Sequence, residues 1–118
     1  MPPSTKKKAL LVDDSKTVLE QLRGALEREF DCILAGNGAQ ALHIVTTQHV
    51  DVVISDLEMP IMDGVEMLRA MREHPAHKST PAVMMTAAPA ALSRVQPTWS
   101  VLLTKPFEID SLMRALQS

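Results

Sequence analysis

Five short apolar runs, spaced along a chain of 118 residues, limit the fold more than any other feature of this sequence. The runs cover 9–12, 31–35, 52–55, 82–85 and 101–104. Between and after them, the apolar residues of 16–29, 39–48, 65–74 and 109–116 recur at the three- to four-residue spacing of helices. Apolar strands that alternate with helices predict a parallel sheet with helices on both faces. We therefore predict an α/β, doubly wound fold with five strands and about five helices.

One segment fits this pattern poorly. Residues 87–99 contain Pro89 and Pro97, and proline interrupts helical hydrogen bonding. We predict that the fourth helix, which would lie there, is short or irregular.

Composition restricts the class of protein. The length suits a single domain, which we expect to span 1–118 with 1–7 as a flexible lead-in. The net charge of −2 predicts no general attraction to nucleic acid or to an anionic membrane. A single cysteine excludes an internal disulfide, and the N-terminus lacks the apolar core of a signal peptide. No apolar stretch reaches membrane-spanning length, so we expect a cytoplasmic protein.

Polar side chains stand where the apolar runs end. Asp13 and Asp14 follow the first run, Asp56 the third, Thr86 the fourth and Lys105 the fifth. Because parallel strands end at the same edge of a sheet, these side chains should lie close together. Each has a simpler explanation when taken alone, since an aspartate after a strand often caps the next helix or turn. Their coincidence at the strand ends favours a functional site.

The charges at this edge indicate its chemistry. Three carboxylates close together repel one another, which implies a hard cation, and Mg²⁺ suits a site with few carboxylates and several waters. With the cation bound, Asp56 is the candidate nucleophile that would attack phosphorus and form an aspartyl phosphate. Lys105 and the cation would take the charge on the phosphoryl oxygens, and Thr86 would donate a hydrogen bond to the same group.

Taken in order, these motifs resemble those of response-regulator receiver domains, the phosphoacceptor modules of two-component signalling. Asp13-Asp14 is similar to the acidic pair of that family, and Asp56 is similar to its phosphorylated aspartate. Thr86 resembles its switch hydroxyl, and Lys105 with the proline that follows it resembles its lysine–proline motif. The segment Met-Pro-Ile-Met-Asp-Gly matches the loop after the phosphorylation site, and the similarity covers essentially the whole chain.

The resemblance implies a flavodoxin-like fold with strand order 2-1-3-4-5. It also implies Mg²⁺-dependent (or Mn²⁺-dependent) transfer of a phosphoryl group from a phosphohistidine to Asp56. Slow hydrolysis would follow, so the domain would catalyse its own phosphorylation and dephosphorylation without being a conventional enzyme. The metal ligands implied by the family are Asp13, Asp14, Asp56 and the backbone carbonyl of Glu58.

The resemblance implies partners as well. The phosphoryl donor would be a sensor histidine kinase or a histidine phosphotransfer protein, and the signal would pass to a downstream protein or a fused output domain. The face formed by the fourth and fifth strand and helix region would change on phosphorylation, with a phosphorylation-dependent dimer as a further option. Because the chain stops after one short final helix, we expect either a stand-alone protein or a domain cut from a longer one.

The chain departs from the family pattern near its output face. Leu102 stands three residues before the lysine, where receivers usually carry Tyr or Phe that changes rotamer with the switch hydroxyl. The segment between Thr86 and Lys105 is a few residues short, and Glu58 adds a further acid beside the site. We therefore expect an atypical output face with Trp99 partly exposed on it.

Two other functions are compatible with parts of the sequence. A pseudo-receiver would be a protein-interaction scaffold that takes no phosphate, which Leu102 and the short fourth segment permit. A Mg²⁺-dependent phosphatase would also use an aspartate nucleophile, but that chemistry commonly needs a second aspartate where this chain has Glu58. The acid triad together with Thr86 and Lys105 favours the phosphoacceptor switch.

Two histidines, His74 and His77, lie three residues apart in a proline-rich loop. Without further ligands, such a pair does not make a metal site. We expect both side chains to be solvated.

Overall fold

The computed structural model describes residues 6–95 and 97–117 of the chain. Within these residues, five parallel strands form one sheet in the order β2-β1-β3-β4-β5. The strands are β1 (Lys7–Val12), β2 (Phe30–Ala35), β3 (Val52–Asp56), β4 (Ala82–Thr86) and β5 (Val101–Thr104). The predicted fold class and strand order are confirmed.

In the described part of the chain, four α-helices connect the strands or close the fold: α1 (Lys16–Leu26), α2 (Gly38–Thr47), α3 (Gly64–Arg72) and α4 (Ile109–Gln117). Two short 3₁₀ turns, Pro75–His77 and Pro89–Leu92, lie before and after β4. The second turn takes the place of the predicted fourth helix, because the chain must reach β5 within a few residues and Pro97 lies on the way. No helix in the described stretches is long and apolar enough to cross a membrane.

The sheet separates two apolar cores. Leu10 and Val53 belong to the core shared with α2 and α3, whereas Leu11 and Ile54 belong to the core shared with α1 and α4. All four side chains are fully buried. Successive strand residues point to opposite faces, so a strand covered on both faces reads as a continuous apolar run. This packing holds the carboxyl ends of the central strands at one fixed edge.

The first helix is shorter than its apolar pattern predicted. α1 ends at Leu26, although the pattern predicted a helix to about Glu29. Leu26 is fully buried and closes the apolar stripe, while Phe30 already pairs with Lys7 in the sheet, so the chain must turn between them. Lys7, assigned from the sequence to the lead-in, therefore opens β1, and residues 1–5 lie outside the described part of the chain.

The prediction of a solvated loop is wrong for His77. Its side chain is buried, and its Nε2 accepts a hydrogen bond from the backbone N–H of Val50 at 3.4 Å. Its ring stacks on that of His49 with the centroids 5.9 Å apart. The 3₁₀ turn after α3 places this residue beside the amino end of β3, where burial lowers the pKa of the imidazole.

Candidate functional site

Three carboxylates meet at the carboxyl edge of the sheet. Asp56 is the last residue of β3 and is 4% exposed, while Asp13 follows β1 and is 1% exposed. Asp14 is exposed beside them. One carboxylate oxygen from each of the three lies within 4.8 Å of the other two. The two central strands, whose pairing places Val12 opposite Ser55, bring this acidic set together.

The backbone at the start of α1 orients Asp13. Its Oδ1 accepts a hydrogen bond from the N–H of Ser15 at 2.8 Å, and its own N–H donates to the carbonyl of Ala35. Ser15 in turn caps α1 by accepting from the N–H of Val18. The other oxygen, Oδ2, is buried without a hydrogen-bond donor among the described residues. Its nearby cation is Lys105, whose Nζ lies 3.9 Å away.

Lys105 connects β5 to this acidic set. Its Nζ donates to Oδ1 of Asp56 at 2.8 Å, and its backbone N–H donates to the carbonyl of Thr86, which aligns the lysine with the end of β4. The side chain is 30% exposed, so its ammonium lies at the mouth of the site rather than below it. The structure therefore brings together Asp13, Asp14, Asp56 and Lys105, as the strand-end pattern predicted.

The site carries an excess of negative charge. Burial raises the pKa of Asp56 to about 6; the hydrogen bond from Lys105 opposes this rise, and the charge of Asp13 adds to it. Burial likewise raises the pKa of Asp13. Burial acts to lower the pKa of Lys105, but the hydrogen bond to Asp56 and the negative charges of the nearby carboxylates together outweigh burial and raise this pKa. Because both acids and the base hold protons more tightly than usual, a further positive charge would stabilise this edge.

Thr86 lies at the same edge but is engaged elsewhere. Its side chain is fully buried, and its Oγ1 donates to Oε1 of Glu58 at 2.6 Å. The same oxygen accepts from the N–H of Ala88 at 2.9 Å. Burial acts to raise the pKa of Glu58, but the hydrogen bonds that it accepts, first from Thr86, keep its pKa below the usual value. Glu58 therefore presents a carboxylate to the threonine hydroxyl.

The sequence predicted that Glu58 adds an acid beside the site, but the hydrogen bond between its side chain and Thr86 was missed. A signal was nevertheless present in the strand pattern. β3 and β4 are parallel neighbours with Asp56 opposite Met85, so the residues that directly follow these two strands run side by side. A residue two positions after Asp56 is then expected close to Thr86.

A tight loop returns the chain from β3 to α3. The N–H of Gly64 donates to the carbonyl of Leu57, and Asp63 caps α3 in a reciprocal capping box with Glu66. A Cβ at position 64 would lie 2.5 Å from the backbone oxygen of Asp56, so only glycine lets α3 begin this close to the site. At the tip of the loop, Ile61 adopts a φ of 71° with its side chain fully exposed.

Comparison with known proteins agrees with this geometry. The family described as "Response regulator receiver domain" matches residues 9–117. The chain is 37% identical over 116 residues to the regulatory protein AtoC of Escherichia coli K12, a match that covers 92% of this chain and 25% of AtoC. This chain thus spans about a quarter of the length of that relative.

Two further matches cover nearly the whole of the other protein. The chain is 37% identical over 123 residues to the probable chemotaxis protein CheY of Rhizobium etli, which covers all of this chain and 95% of that protein. The receiver domain of a sensor histidine kinase from Pseudomonas aeruginosa PAO1, solved with a magnesium ion coordinated in its active-site cleft, has a TM-score of 0.88 and 26% identity over 96% of each chain. This chain therefore belongs to the family of response regulator receiver domains of two-component signalling.

Proposed function

We propose that this domain is a phosphoacceptor switch in which Asp56 takes a phosphoryl group from a phosphohistidine. The observation that carries the proposal is the environment of the Asp56 carboxylate, which is buried at the sheet edge, bonded to Lys105 at 2.8 Å and flanked by two more carboxylates. A carboxylate nucleophile needs cationic groups for the oxygens of the incoming phosphoryl group. Lys105 is one such group, and the acidic set is suited to hold another.

The donor set fits a divalent cation, Mg²⁺ or Mn²⁺. All its atoms are oxygens, the ligands that hard cations prefer. The buried Oδ2 of Asp13, without a hydrogen-bond donor among the described residues, is an available ligand atom. Asp13, Asp14, Asp56 and the backbone carbonyl of Glu58 would hold the ion. When bound, it would supply neutralising charge to the carboxylates and to the phosphoryl oxygens.

The transfer requires little covalent chemistry from the protein. A carboxylate oxygen of Asp56 attacks phosphorus and forms a P–O bond. The P–N bond of the donor breaks, and its electron pair leaves with the imidazole of the donor histidine. This imidazole is neutral once it carries one proton. Lys105 is positioned to follow the charge from the free carboxylate to the phosphoryl oxygens. Water later attacks phosphorus, which releases inorganic phosphate and regenerates Asp56, so the domain promotes its own slow dephosphorylation.

The added charge would be transmitted to the face formed by β4, Pro89–Leu92, β5 and α4. A phosphoryl group adds about −1.5 to −2 charges at neutral pH. Leu102 and Trp99 both pack against the core at this face, and both are half-buried. Because Leu102 has no ring to rotate, the readout proposed here is a shift of this packed segment, which Trp99 fluorescence would report on addition of beryllofluoride. An unchanged Trp99 signal would contradict this readout.

The proposed partners follow from the proposed chemistry. The donor is a sensor histidine kinase or a histidine phosphotransfer protein in the cytoplasm, and the output is a downstream protein or a fused domain. A dimer that forms on phosphorylation is one way in which the changed face would act.

Intact-protein mass spectrometry tests the phosphoacceptor proposal directly. After incubation with acetyl phosphate and Mg²⁺, the protein should gain one phosphoryl group, which should be absent from D56N and should not form when the metal is chelated. If neither acetyl phosphate nor a competent phosphohistidine donor gives an adduct, the proposal fails and an interaction scaffold becomes the better explanation.

A further inference from the structure

The hydroxyl of Thr86 is already committed in this structure. It donates to the Glu58 carboxylate at 2.6 Å and accepts from the backbone N–H of Ala88 at 2.9 Å. A threonine hydroxyl has only one proton to donate. Since the side chain of Thr86 is fully buried, water does not compete for that proton.

The hydrogen bond from Thr86 to Glu58 is also stronger than a hydrogen bond between two neutral groups. A hydrogen bond to a carboxylate is shorter than one between neutral groups and roughly twice as strong. The Glu58 side chain belongs to an exposed residue, and an exposed carboxylate is ionised at neutral pH. Glu58 is itself exposed at the surface, so its side chain is free to be substituted without opening a cavity in the core.

A phosphoryl group on Asp56 would compete for the same proton. It presents three strong acceptor oxygens at the edge where Thr86 lies. Thr86 would therefore have to leave Glu58 before it could donate to the phosphoryl group. The two bonds exclude each other, so whatever stabilises the first opposes the second.

We propose that the Glu58 carboxylate is a positioning residue that holds Thr86 in the unphosphorylated arrangement and so lowers the affinity of the site for a phosphoryl group. The proposal rests on the function proposed above for Asp56. The role of the Glu58 carboxylate is distinct from that of the Glu58 backbone carbonyl, because a substitution of the side chain leaves the carbonyl in place.

Removal of the carboxylate should tighten binding of a phosphoryl mimic. We expect E58A to bind beryllofluoride with Mg²⁺ roughly tenfold more tightly than the wild type, since a hydrogen bond to a charged group contributes on the order of this factor or more. Isothermal titration calorimetry gives the affinity without depending on a conformational reporter. Thermal unfolding of each variant establishes that it is folded.

Loss of the negative charge of Glu58 would by itself also increase the affinity for an anion such as beryllofluoride. Two comparisons separate this effect from the loss of the hydrogen bond. E58Q removes the charge but keeps an acceptor oxygen, so it should gain less affinity than E58A. In a T86A background, E58A should gain much less than it does when Thr86 is present. E108A serves as a charge-matched control, because Glu108 is exposed and lies three residues after Lys105 in the chain.

The outcomes distinguish the two proposals. Equal gains for E58A and E58Q, or equal gains from E58A with and without Thr86, would show simple charge repulsion and overturn the positioning role alone. A wild type that neither binds beryllofluoride nor takes phosphate from acetyl phosphate would overturn the proposed function and the positioning role with it. A gain for E58A that depends on Thr86 and exceeds that of E58Q supports the proposal.

Discussion

Charged side chains are arranged in opposite ways at the two ends of the sheet. At the carboxyl end, like charges are brought together, and Asp13 Oδ2 is buried without a hydrogen-bond donor among the described residues. At the amino end, the half-buried guanidinium of Arg72 donates to the backbone carbonyls of His77, Thr80 and Thr98. The repulsion in the first arrangement would be relieved by an added cation, whereas the second arrangement is complete without one.

The buried polar atoms without a hydrogen-bond partner also differ between the two ends of the sheet. Apart from Asp13 Oδ2, the buried side-chain atoms without a hydrogen-bond partner among the described residues are His77 Nδ1 and Thr98 Oγ1, both near the amino end. These are neutral groups at neutral pH, and an unpaired neutral group is less costly to bury than an unpaired charge. Unfavourable electrostatic interactions in this domain are therefore concentrated where a ligand is expected, and the opposite end carries the structural polar contacts.

The largest effect on stability is therefore expected at the amino end. R72A removes the hydrogen bonds that join the segment after α3 to the segment before β5, and it leaves the carbonyls of Thr80 and Thr98 without this donor. We expect the free energy of unfolding to fall by about 3 kcal/mol, given the usual contribution of hydrogen bonds to charged groups. Urea denaturation measures this, and R69A, on the exposed side of the same helix, should change stability by less than about 0.5 kcal/mol. Equal losses in the two variants would contradict the assignment.

A divalent cation should stabilise the carboxyl end by a smaller amount. At a Mg²⁺ concentration about ten times its dissociation constant, binding to the folded state alone adds about 1.4 kcal/mol. We expect the midpoint of thermal unfolding to rise with Mg²⁺ in the wild type and to change much less in D13N, which lacks the buried carboxylate. E108Q should respond as the wild type does. An undiminished response in D13N would place the ion elsewhere.

Asp56 should oppose folding when ionised and without metal. Its pKa is raised from 3.8 to about 6, so it favours the folded state fully below about pH 4, and this contribution is lost as pH rises through about 6. D56N should therefore be more stable than the wild type at pH 7 in a chelator, by about 1 kcal/mol after allowance for solvent screening, and the difference should vanish near pH 4. Chemical denaturation at the two pH values measures it. A destabilised D56N at pH 7 would mean that the bond to Lys105 outweighs burial.

The smallest effect should come from His77 and should run in the opposite direction with pH. Its pKa is lowered by burial and then by the charges of His49, His74 and Arg72, so the folded state favours the neutral ring. Stability should be unaffected above about pH 7 and should fall as pH drops below 6.5, the value from which the pKa is lowered. H77Q keeps an acceptor for the Val50 N–H and does not titrate. It should therefore lose less stability than the wild type between pH 7 and 5, by about 0.5 kcal/mol.

Much of the site could be predicted because it depends on local patterns and one rule of topology. Asp13, Asp56, Thr86 and Lys105 each end or follow an apolar run, and parallel strands that share a sheet end at the same edge. The sheet order itself came with the family resemblance rather than from the runs, because apolar spacing does not reveal which strands are neighbours.

Other features could not be predicted because they join segments far apart in the chain. Nothing in the pattern around His77 shows that its ring would stack on His49, and the carbonyls that receive Arg72 come from two different loops. The end of α1 was wrong for a related reason, since the apolar stripe fades gradually while the pairing of Phe30 with Lys7 ends the helix abruptly.

The amino-acid pattern alone predicts the alternation of strands and helices and the set of polar residues at the strand ends. Those follow from residue spacing, backbone geometry and the two-sided burial of parallel strands. The pairing of these polar residues depends on tertiary packing: Lys105 pairs with Asp56, and Thr86 pairs with Glu58 rather than with the acidic set. Several acceptors lie within reach of the hydroxyl proton and of the ammonium. The packed sheet fixes the distances to these acceptors, and the distances determine which hydrogen bond forms.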